Sequence, residues 1–263
     1  MKNQSSTDLD QRQAVDSNDK DMLNLLPAIL APAGIQLSRQ QLEAFVSYSE
    51  LLRDWNTRIN LTSITDNHGV AVRHFLDSLS LLPILDKEAK LQNKAALSLI
   101  DVGTGAGFPG LPLRVVRPEL KLTLLDSLQK RINFLTAVIS ELELTGVLTI
   151  SSRAEDAAHD SKYREYFDIA VARAVGPLPV LCEYLLPFVR QGGLMVAMKA
   201  QKNEEIDASA KAIRVLGGHL ESVDHFVLPG SDLNRTLICV RKTGSTPPAY
   251  PRKAGTPGRK PII

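Results

Sequence analysis

The residues best suited to bind a ligand are concentrated in one stretch, Leu99 to Gly110. An apolar run ends in the carboxylate of Asp101, and a loop follows that contains Gly103, Gly105, Gly107 and Gly110. Glycine accepts positive φ angles and lets a ligand approach the main chain closely. A buried strand that leads into a glycine loop and then a helix is where open α/β sheets bind nucleotide-like ligands. The stretch therefore predicts a site for an adenosine-bearing cofactor.

A second carboxylate has the sequence spacing expected of such a site. The next apolar segment begins at Lys121 and ends in Asp126, which follows Gly105 by 21 residues. An acidic residue about 20 residues after the glycine loop accepts hydrogen bonds from ribose hydroxyls in dinucleotide-binding folds. This spacing argues against a glycine turn that only connects a strand to a helix.

The charge at the loop distinguishes two cofactors. Gly105 to Gly110 fits the G-x-G-x-x-G pattern, so NAD has to be considered, with its pyrophosphate at the helix N-terminus. Asp101, however, lies at the end of the strand under the loop, and two unit charges about 4 Å apart interact by roughly 4 kcal/mol at an effective dielectric near 20. A carboxylate repels pyrophosphate and attracts a cation. We therefore favour S-adenosylmethionine, which carries a sulfonium and an ammonium group and no phosphate.

The elements that position this site alternate between strand and helix from residue 95 onwards. Predicted strands end at Val102, Asp126, Ser151, Ala172 and Lys199, and two more lie near 221–227 and 236–241. The helices predicted between them run from about Gly110 to Val116, Leu128 to Leu142, Leu178 to Val189 and Asn203 to Leu216. Such alternation predicts an α/β, doubly wound Rossmann-like sheet. The short turn before the last strand makes the final pair an antiparallel hairpin, which is typical of class I methyltransferases.

The chain before residue 95 has a different pattern. Residues 1–20 are rich in Asp, Ser, Asn and Gln and predict a disordered N-terminus. Helices are predicted over 22–30, after a capping box of Ser38 and Gln41, and over about 70–82, with a loop at 60–65. We expect a helical cap (21–94), an S-adenosylmethionine-dependent methyltransferase domain (95–242) and a basic, Pro/Gly-rich tail (243–263).

The composition excludes several classes of protein. Of the 263 residues, 44% are hydrophobic and 23% charged, and no apolar run approaches the roughly 18 residues of a membrane span. The polar N-terminus lacks the apolar core of a signal peptide, so we expect a cytoplasmic protein without membrane contact. Cys182 and Cys239 have no C-x-x-C spacing and no neighbouring histidine cluster, which predicts buried side chains and no metal site.

The net charge of +2 is unevenly distributed. Residues 241–263 hold six of the 31 Lys and Arg residues and no acidic residue, so the rest of the chain has 25 basic against 29 acidic residues, a net charge of −4. Proline and glycine in this tail preclude a long helix, which predicts an extended basic arm. Such an arm is suited to contact with a phosphate backbone, and a solvated end without a partner is the alternative.

Several short motifs together resemble one protein family. They are Asn60-Leu61-Thr62, Arg73-His74-Phe75-Leu76-Asp77-Ser78, Asp101 to Gly110, Leu124-Leu125-Asp126-Ser127 with Lys130-Arg131, Arg173-Ala174, and Tyr250 to Pro257. They resemble the RsmG family, the bacterial 16S rRNA guanine-N7 methyltransferases also called glucose-inhibited division protein B. The resemblance covers nearly all of the chain after about residue 22. One departure is Met198-Lys199-Ala200, where the family usually has Leu-Lys-Gly.

The resemblance implies transfer of a methyl group from S-adenosylmethionine to N7 of guanine 527, in the 530 loop of the 16S rRNA of the small ribosomal subunit. Together with the glycine loop it predicts the cofactor contacts Asp101, Gly103, Gly105, Phe108, Asp126, Ala154, Glu155 and Arg173. Arg173, at the end of the fourth strand, is also the candidate catalytic residue. Candidate RNA contacts are Lys130, Arg131, Lys199, Arg252 and Lys253.

The residues near the end of the fourth strand agree with a ring-nitrogen acceptor. Enzymes that methylate exocyclic amines typically carry an Asn/Asp-Pro-Pro-aromatic turn where this chain has Ala172 to Val175, and cytosine-C5 enzymes need a cysteine nucleophile. Guanine N7 has an in-plane lone pair and needs no deprotonation, so positioning and desolvation suffice. His74, on a predicted helix beside Phe75, is therefore expected to be structural.

Two functions of other classes stay open at this point. An NAD-dependent oxidoreductase would need a phosphate-compatible loop and a hydride-accepting site. A non-catalytic rRNA-binding assembly factor would keep the basic tail without a cofactor site. For the methyltransferase we expect a monomer.

Overall fold

The computed structural model describes residues 22–200 and 205–263. The strands are β1 (Ser98–Val102), β2 (Lys121–Asp126), β3 (Val147–Ser151), β4 (Phe167–Arg173), β5 (Val189–Lys199), β6 (Gly218–Val227) and β7 (Asn234–Lys242). They form a seven-stranded sheet with the order β3-β2-β1-β4-β5-β7-β6. Strands β1 to β5 pair in parallel, and β7 pairs antiparallel with both β5 and β6. The order reverses between β1 and β4, which opens a crevice at their carboxyl ends.

The helices of the described residues are α1 (residues 22–30), α2 (Arg39–Ile59), α3 (residues 67–79), α4 (Leu82–Leu91), α5 (Gly110–Val116), α6 (Gln129–Glu141), α7 (Ala154–Ala157), α8 (Leu178–Leu185), α9 (Ile206–Val215) and α10 (Thr256–Arg259). Within α3, the segment Val70–Leu76 has π-helical geometry. π-helical turns are rare in proteins, and those that do occur are frequently located at functional sites.

The predicted alternation of strands and helices is confirmed, although the bounds of some elements differ and the short helices α7 and α10 were not predicted. The helix predicted to reach Val189 ends at Leu185, because Pro187 lacks an amide donor, and β5 begins at Val189. The helix predicted over about 70–82 ends at residue 79, and α4 was not predicted. The predicted N-terminal disorder and the helix start at Asn203 lie outside the described residues.

Both faces of the sheet are covered. Successive strand residues point to opposite faces, so Leu99 packs with α1 to α6 whereas Ile100 packs with α8 and α9. The Ser38 hydroxyl caps α2 by accepting a hydrogen bond from the Gln41 backbone amide, and the Ser38 backbone amide donates one to Oε1 of Gln41, which confirms the predicted capping box. The predicted helical cap thus shares its core with one sheet face, and the domain boundaries remain a prediction.

The C-terminal tail is folded against the domain, so the prediction of an extended arm is wrong. Arg164 donates hydrogen bonds to the backbone oxygens of Thr246 and Tyr250, at 2.8 and 2.9 Å. Arg252 holds the carboxylate of buried Glu183 with both arms of its guanidinium, at 2.9 and 2.6 Å. Side chains of the domain thus form hydrogen bonds with backbone groups of the Pro/Gly-rich tail. These groups would otherwise need partners within the tail itself.

Ion pairs hold the end of β7 and the tail to the net-negative body. At the end of β7, Arg241 pairs with Glu88 and Glu221 and the buried Lys242 pairs with Glu165; in the tail, Arg252 pairs with Glu183. Composition alone shows an excess of positive charge but not these partners. Among the six basic residues, Arg241, Lys242 and Arg252 are therefore engaged within the protein.

We predict that Arg252→Ala lowers the free energy of unfolding by about 3 kcal/mol, because it leaves the buried Glu183 carboxylate without its cation. Lys253→Ala is the matched control. Its side chain is exposed, so we expect a change within about 0.5 kcal/mol. Denaturant unfolding of both variants measures the difference, and equal values would show that the Arg252–Glu183 pair does not anchor the tail.

Candidate active site

Asp101 ties together the strand, the loop and the helix of the glycine motif. Its side chain is fully buried at the end of β1, and Oδ2 accepts hydrogen bonds from the Thr104 hydroxyl at 2.7 Å and the Gly110 amide at 2.9 Å. A Cβ at Gly110 would lie 3.0 Å from that same oxygen. Gly103 has a φ of +71°, a conformation that a side chain disfavours. The glycines are therefore required by the path of the loop around this carboxylate.

The second oxygen of Asp101, Oδ1, accepts no hydrogen bond from the described residues although it is buried. Burial raises the pKa of Asp101 to about 6, opposed by the hydrogen bonds from Thr104 and Gly110 and by the nearby guanidinium of Arg173. A buried carboxylate oxygen without a donor is costly. Such a group suits a positively charged ligand, so the residues present fit S-adenosylmethionine.

Asp126 lies at the end of β2 and also faces the loop. Its Oδ2 accepts hydrogen bonds from the Gly105 amide at 3.0 Å and Arg131 Nη1 at 3.1 Å, and its Oδ1 accepts one from the Leu128 amide at 3.0 Å. A carboxylate offers about four lone-pair positions, so three donors leave room for one more. Both predicted carboxylates thus lie beside the glycine loop.

A cavity of about 290 Å³ opens beside this loop, and we call it the glycine-loop cavity. Its lining includes Gly103, Asp126, Arg131, Ala154, Glu155 and Tyr184. A Cβ at Gly105 would meet no atom within 4 Å, so space is also open at that position. The structure thus brings together four of the predicted cofactor residues, whereas Asp101 and Phe108 are buried behind the loop. Tyr184 was not predicted, and only its place on the helix after β4 could have suggested it.

Phe108 lies between two aromatic side chains of the N-terminal helices. The ring of His74 stacks on it with centroids 4.5 Å apart, and that of Tyr48 with centroids 5.3 Å apart. The Tyr48 hydroxyl donates a short hydrogen bond to the backbone oxygen of Ala106, within the glycine loop. Tyr48 was not predicted as a site residue, because its position in the sequence is that of an ordinary inward-facing residue of an amphipathic helix. Through it α2 supports the loop.

Arg173, at the end of β4, is held by three groups. Its Nη1 donates to the backbone oxygen of Arg73 at 2.9 Å and to Oδ2 of Asp77 at 2.8 Å, and its guanidinium lies 5.2 Å from the centroid of the Phe108 ring. The other oxygen of Asp77 accepts a hydrogen bond from Arg235 Nε at 2.5 Å. Asp77 is buried and joins two arginines, an arrangement that the sequence did not predict.

His74 is neutral in this environment. Burial, together with the charge of Arg173, lowers its pKa to about 4. Its Nε2 lies 2.9 Å from the Thr62 hydroxyl and its Nδ1 lies 3.4 Å from Arg173 Nη2. Because Arg173 can only donate, Nδ1 is the acceptor and Nε2 carries the proton. These contacts agree with the structural role predicted for His74.

A second cavity, of about 500 Å³, lies on the other side of β4, and we call it the arginine cavity. Its lining includes Arg73, Arg173, Lys199 and Arg235, with Asp77 as their acidic neighbour. Lys199 Nζ donates to the backbone oxygen of Gly176 at 2.6 Å and pairs with Glu205 at 3.3 Å. Ala174 lines both cavities, so they lie next to each other at the end of β4.

The predicted RNA contacts are not brought together in one surface. Lys130 and Lys253 are exposed, Lys199 lines the arginine cavity, and Arg131 lines the glycine-loop cavity and pairs with Asp126. Arg252 is engaged with Glu183. Their contact with RNA therefore remains a prediction.

Within the described residues no cluster of three potential metal ligands occurs, and no helix is long and apolar enough to cross a membrane.

The strand order, the antiparallel β7 and the glycine loop between β1 and α5 define a class I methyltransferase that uses S-adenosylmethionine. The family model of GidB, described as rRNA small subunit methyltransferase G, matches residues 41–236. The chain belongs to this family. Its membership does not support the NAD-dependent oxidoreductase or the non-catalytic assembly factor considered above.

Relatives of known name agree with this assignment. The chain is 48% identical over 230 residues to the ribosomal RNA small subunit methyltransferase G of Acetivibrio thermocellus, which covers 87% of this chain and 92% of that protein. It is 49% identical to the enzyme of the same name from Desulfitobacterium hafniense, with the same coverage. Among solved structures, a 16S rRNA (adenine(1408)-N(1))-methyltransferase from Catenulisporales acidiphilia has a TM-score of 0.49 and 16% identity, over 61% of this chain and 91% of that chain. The family assignment rests on the sequence relatives.

We predict that Asp101→Asn weakens the binding of S-adenosylmethionine about tenfold or more, since the amide removes a negative charge but its oxygen can accept the same two hydrogen bonds. Isothermal titration calorimetry measures the affinity. An unchanged affinity would show that this charge does not attract the cofactor.

Without cofactor, the difference in stability between the same variant and the unchanged protein should depend on pH. Because the pKa of Asp101 in the folded protein is raised to about 6, its contribution to stability is complete below the unfolded pKa and is lost as the pH rises through 6. The melting temperature of Asp101→Asn relative to the unchanged protein should therefore rise from about pH 5 to about pH 8. Thermal melts at both pH values measure this, and a constant difference would contradict the raised pKa.

Proposed function

We propose that this chain transfers the methyl group of S-adenosylmethionine to N7 of a guanine in the 16S rRNA of the small ribosomal subunit. The observation that carries the proposal is that the two cavities lie next to each other, with Ala174 in the lining of both. We assign the cofactor to the glycine-loop cavity, with Asp126 and Glu155 as contacts, and the acceptor base to the arginine cavity. The two ligands then meet at the end of β4, beside Arg173.

The side chains of the described residues are compatible with guanine N7 as the acceptor atom. Burial raises the pKa of Cys182 to about 12 and that of Cys239 to about 11, so neither supplies a thiolate to attack a pyrimidine ring. His74 is neutral but donates its proton to Thr62 and turns its other nitrogen to Arg173. Guanine N7 needs neither a nucleophile nor a base, because its lone pair is available without proton loss.

The remaining task of the protein is positioning. S-adenosylmethionine supplies a methyl group on a positively charged sulfur; N7 forms a bond to its carbon as the carbon–sulfur bond breaks, and the positive charge passes to the base. Arg173 and Lys199 line the acceptor side and offer donors to the guanine edge or an adjacent phosphate. Closure of the site by RNA would exclude water. Arg173 is thus the candidate catalytic residue.

Ala174 supports this assignment through its backbone. It has a φ of +58°, which is unfavourable for a residue with a Cβ. Such conformations persist where the surrounding structure imposes them and are concentrated at functional sites. The turn at Ala174 directs the chain between the two cavities.

The proposal extends to partners and location. Small-subunit rRNA is the macromolecular partner, with Lys130 and Lys253 as exposed candidate contacts. The bacterial small subunit is assembled in the cytoplasm, so we propose that location. We also propose a monomer without a metal cofactor, since residues of one chain line both cavities.

The decisive experiment supplies the protein with methyl-labelled S-adenosylmethionine and small subunits from cells that lack this modification. We expect label at a single guanine, with strand cleavage there after borohydride and aniline treatment, which detects N7-methylguanosine. Label on an exocyclic amine or on a pyrimidine carbon would refute the assignment. Deproteinised 16S rRNA in a parallel reaction determines which form is the substrate.

We predict that Arg173→Ala loses methyl transfer far more than cofactor binding, because Arg173 lines the arginine cavity and not the glycine-loop cavity. Single-turnover methylation should fall about 100-fold, while the affinity for S-adenosylhomocysteine changes less than about threefold. Arg173→Lys keeps a charge beside Asp77 and tests whether the fork geometry is needed. Arg39→Ala, on an exposed helix surface, is the control. Equal losses in binding and transfer would contradict this division of roles.

A further inference from the structure

The segment Tyr250 to Pro257 is a sequence motif with two candidate RNA contacts, Arg252 and Lys253, and the structure also connects it to a residue of the glycine-loop cavity. The backbone amide of Gly255 donates a hydrogen bond to Oε1 of Glu155 at 2.7 Å. Glu155 is buried and lines the cavity. One carboxylate therefore connects the tail, 100 residues further along the chain, with the wall of this cavity.

The position of the Gly255 amide is fixed from both sides. Before it, the Arg252 backbone amide and guanidinium both donate to Glu183, and the Pro251 oxygen lies 2.8 Å from His159 Nε2. After it, α10 begins, and Gly255 takes the N-cap position with a φ of +78°. The amide therefore points at Glu155 because the chain on either side of it is held to the domain.

Helix α8 reinforces this connection. Glu183 binds Arg252 of the tail, whereas the next residue, Tyr184, lines the glycine-loop cavity. A Cβ at Gly258 would lie 3.9 Å from the Tyr184 hydroxyl, so the tail also packs beside that side chain. Two residues of the cavity wall, Glu155 and Tyr184, are thus in contact with the tail.

We propose that the C-terminal segment 250–258 positions Glu155 for cofactor binding, with the Gly255 amide as the positioning group. The proposal rests on the proposed role of the glycine-loop cavity. A free glutamate side chain has several rotatable bonds and must lose that freedom when it binds a ligand. A hydrogen bond that holds it beforehand reduces this loss, and affinity gained by such preorganisation is lost when the hydrogen bond is broken. The tail thus sets cofactor affinity without touching the cofactor.

The test uses Gly255→Ala, which strains the left-handed backbone at the point where the amide is presented. The matched control is Gly34→Ala. Gly34 has a similar φ of +69° and equally open space around it, but it lies before α2 and lines neither of the two cavities. We expect the two variants to lower the melting temperature by similar amounts. Gly255→Ala should weaken S-adenosylhomocysteine binding about tenfold in calorimetry, and Gly34→Ala should leave it unchanged.

A double-mutant cycle shows whether the effect passes through Glu155. Glu155→Ala should weaken binding, and adding Gly255→Ala to it should weaken binding no further, because the partner of the amide is already gone. If the two losses multiply, or if Gly255→Ala binds normally, the positioning role is wrong. If the unchanged protein does not bind S-adenosylhomocysteine, the assignment of the cavity itself fails, which is a separate outcome.

Discussion

The buried carboxylate of Asp101 is the constraint on which the site depends. One oxygen holds the Thr104 hydroxyl and the first amide of α5, so the end of β1, the glycine loop and the following helix are joined at a single atom. The other oxygen has no donor among the described residues. A group placed to maximise stability would have both oxygens paired, since a buried unpaired oxygen is costly. The loop is therefore organised around a charge that is only partly compensated, in a fold that binds a cationic cofactor.

A second buried carboxylate, Asp77, organises the arginine cavity as Asp101 organises the loop. It joins Arg173 of β4 to Arg235 of β7, and it lies just after the π-helical segment of α3. Removing one partner of a buried pair leaves an uncompensated charge, so these side chains constrain one another. His74 and Phe108 fill the space between Asp77 and the loop by stacking. The N-terminal helices are thus a structural part of the candidate active site.

The contacts of the folded tail change the interpretation of the uneven charge distribution along the chain. The basic residues at the end of the chain are not a uniform arm, because Arg241 and Lys242 of β7 and Arg252 of the tail pair with acidic residues of the body. The remaining three, Lys253, Arg259 and Lys260, are exposed. Attraction for an RNA backbone therefore rests on fewer charges than the composition suggests.

The sequence by itself determined the order of strands and helices, the antiparallel end of the sheet and the two carboxylates at the glycine loop. These features depend on hydrophobic periodicity and on spacing within short segments, which are local properties of the chain. The family resemblance also predicted Gly103, Ala154, Glu155 and Arg173 as cofactor contacts, and the first three line the glycine-loop cavity whereas Arg173 lines the arginine cavity. The N-terminal disorder and the domain boundaries remain predictions that the described residues do not test.

Only the tertiary structure decided which of these residues meet. Tyr48 contacts the glycine loop across 58 residues, Arg235 reaches Asp77 across 158, and Gly255 reaches Glu155 across 100. Nothing in the local pattern of Tyr48 or Arg235 distinguishes them from an ordinary core or surface residue. The same holds for the tail, whose composition predicted an arm and whose partners lie elsewhere in the chain. Pairings of this kind arise from the packing of whole helices and strands, so no short segment encodes them.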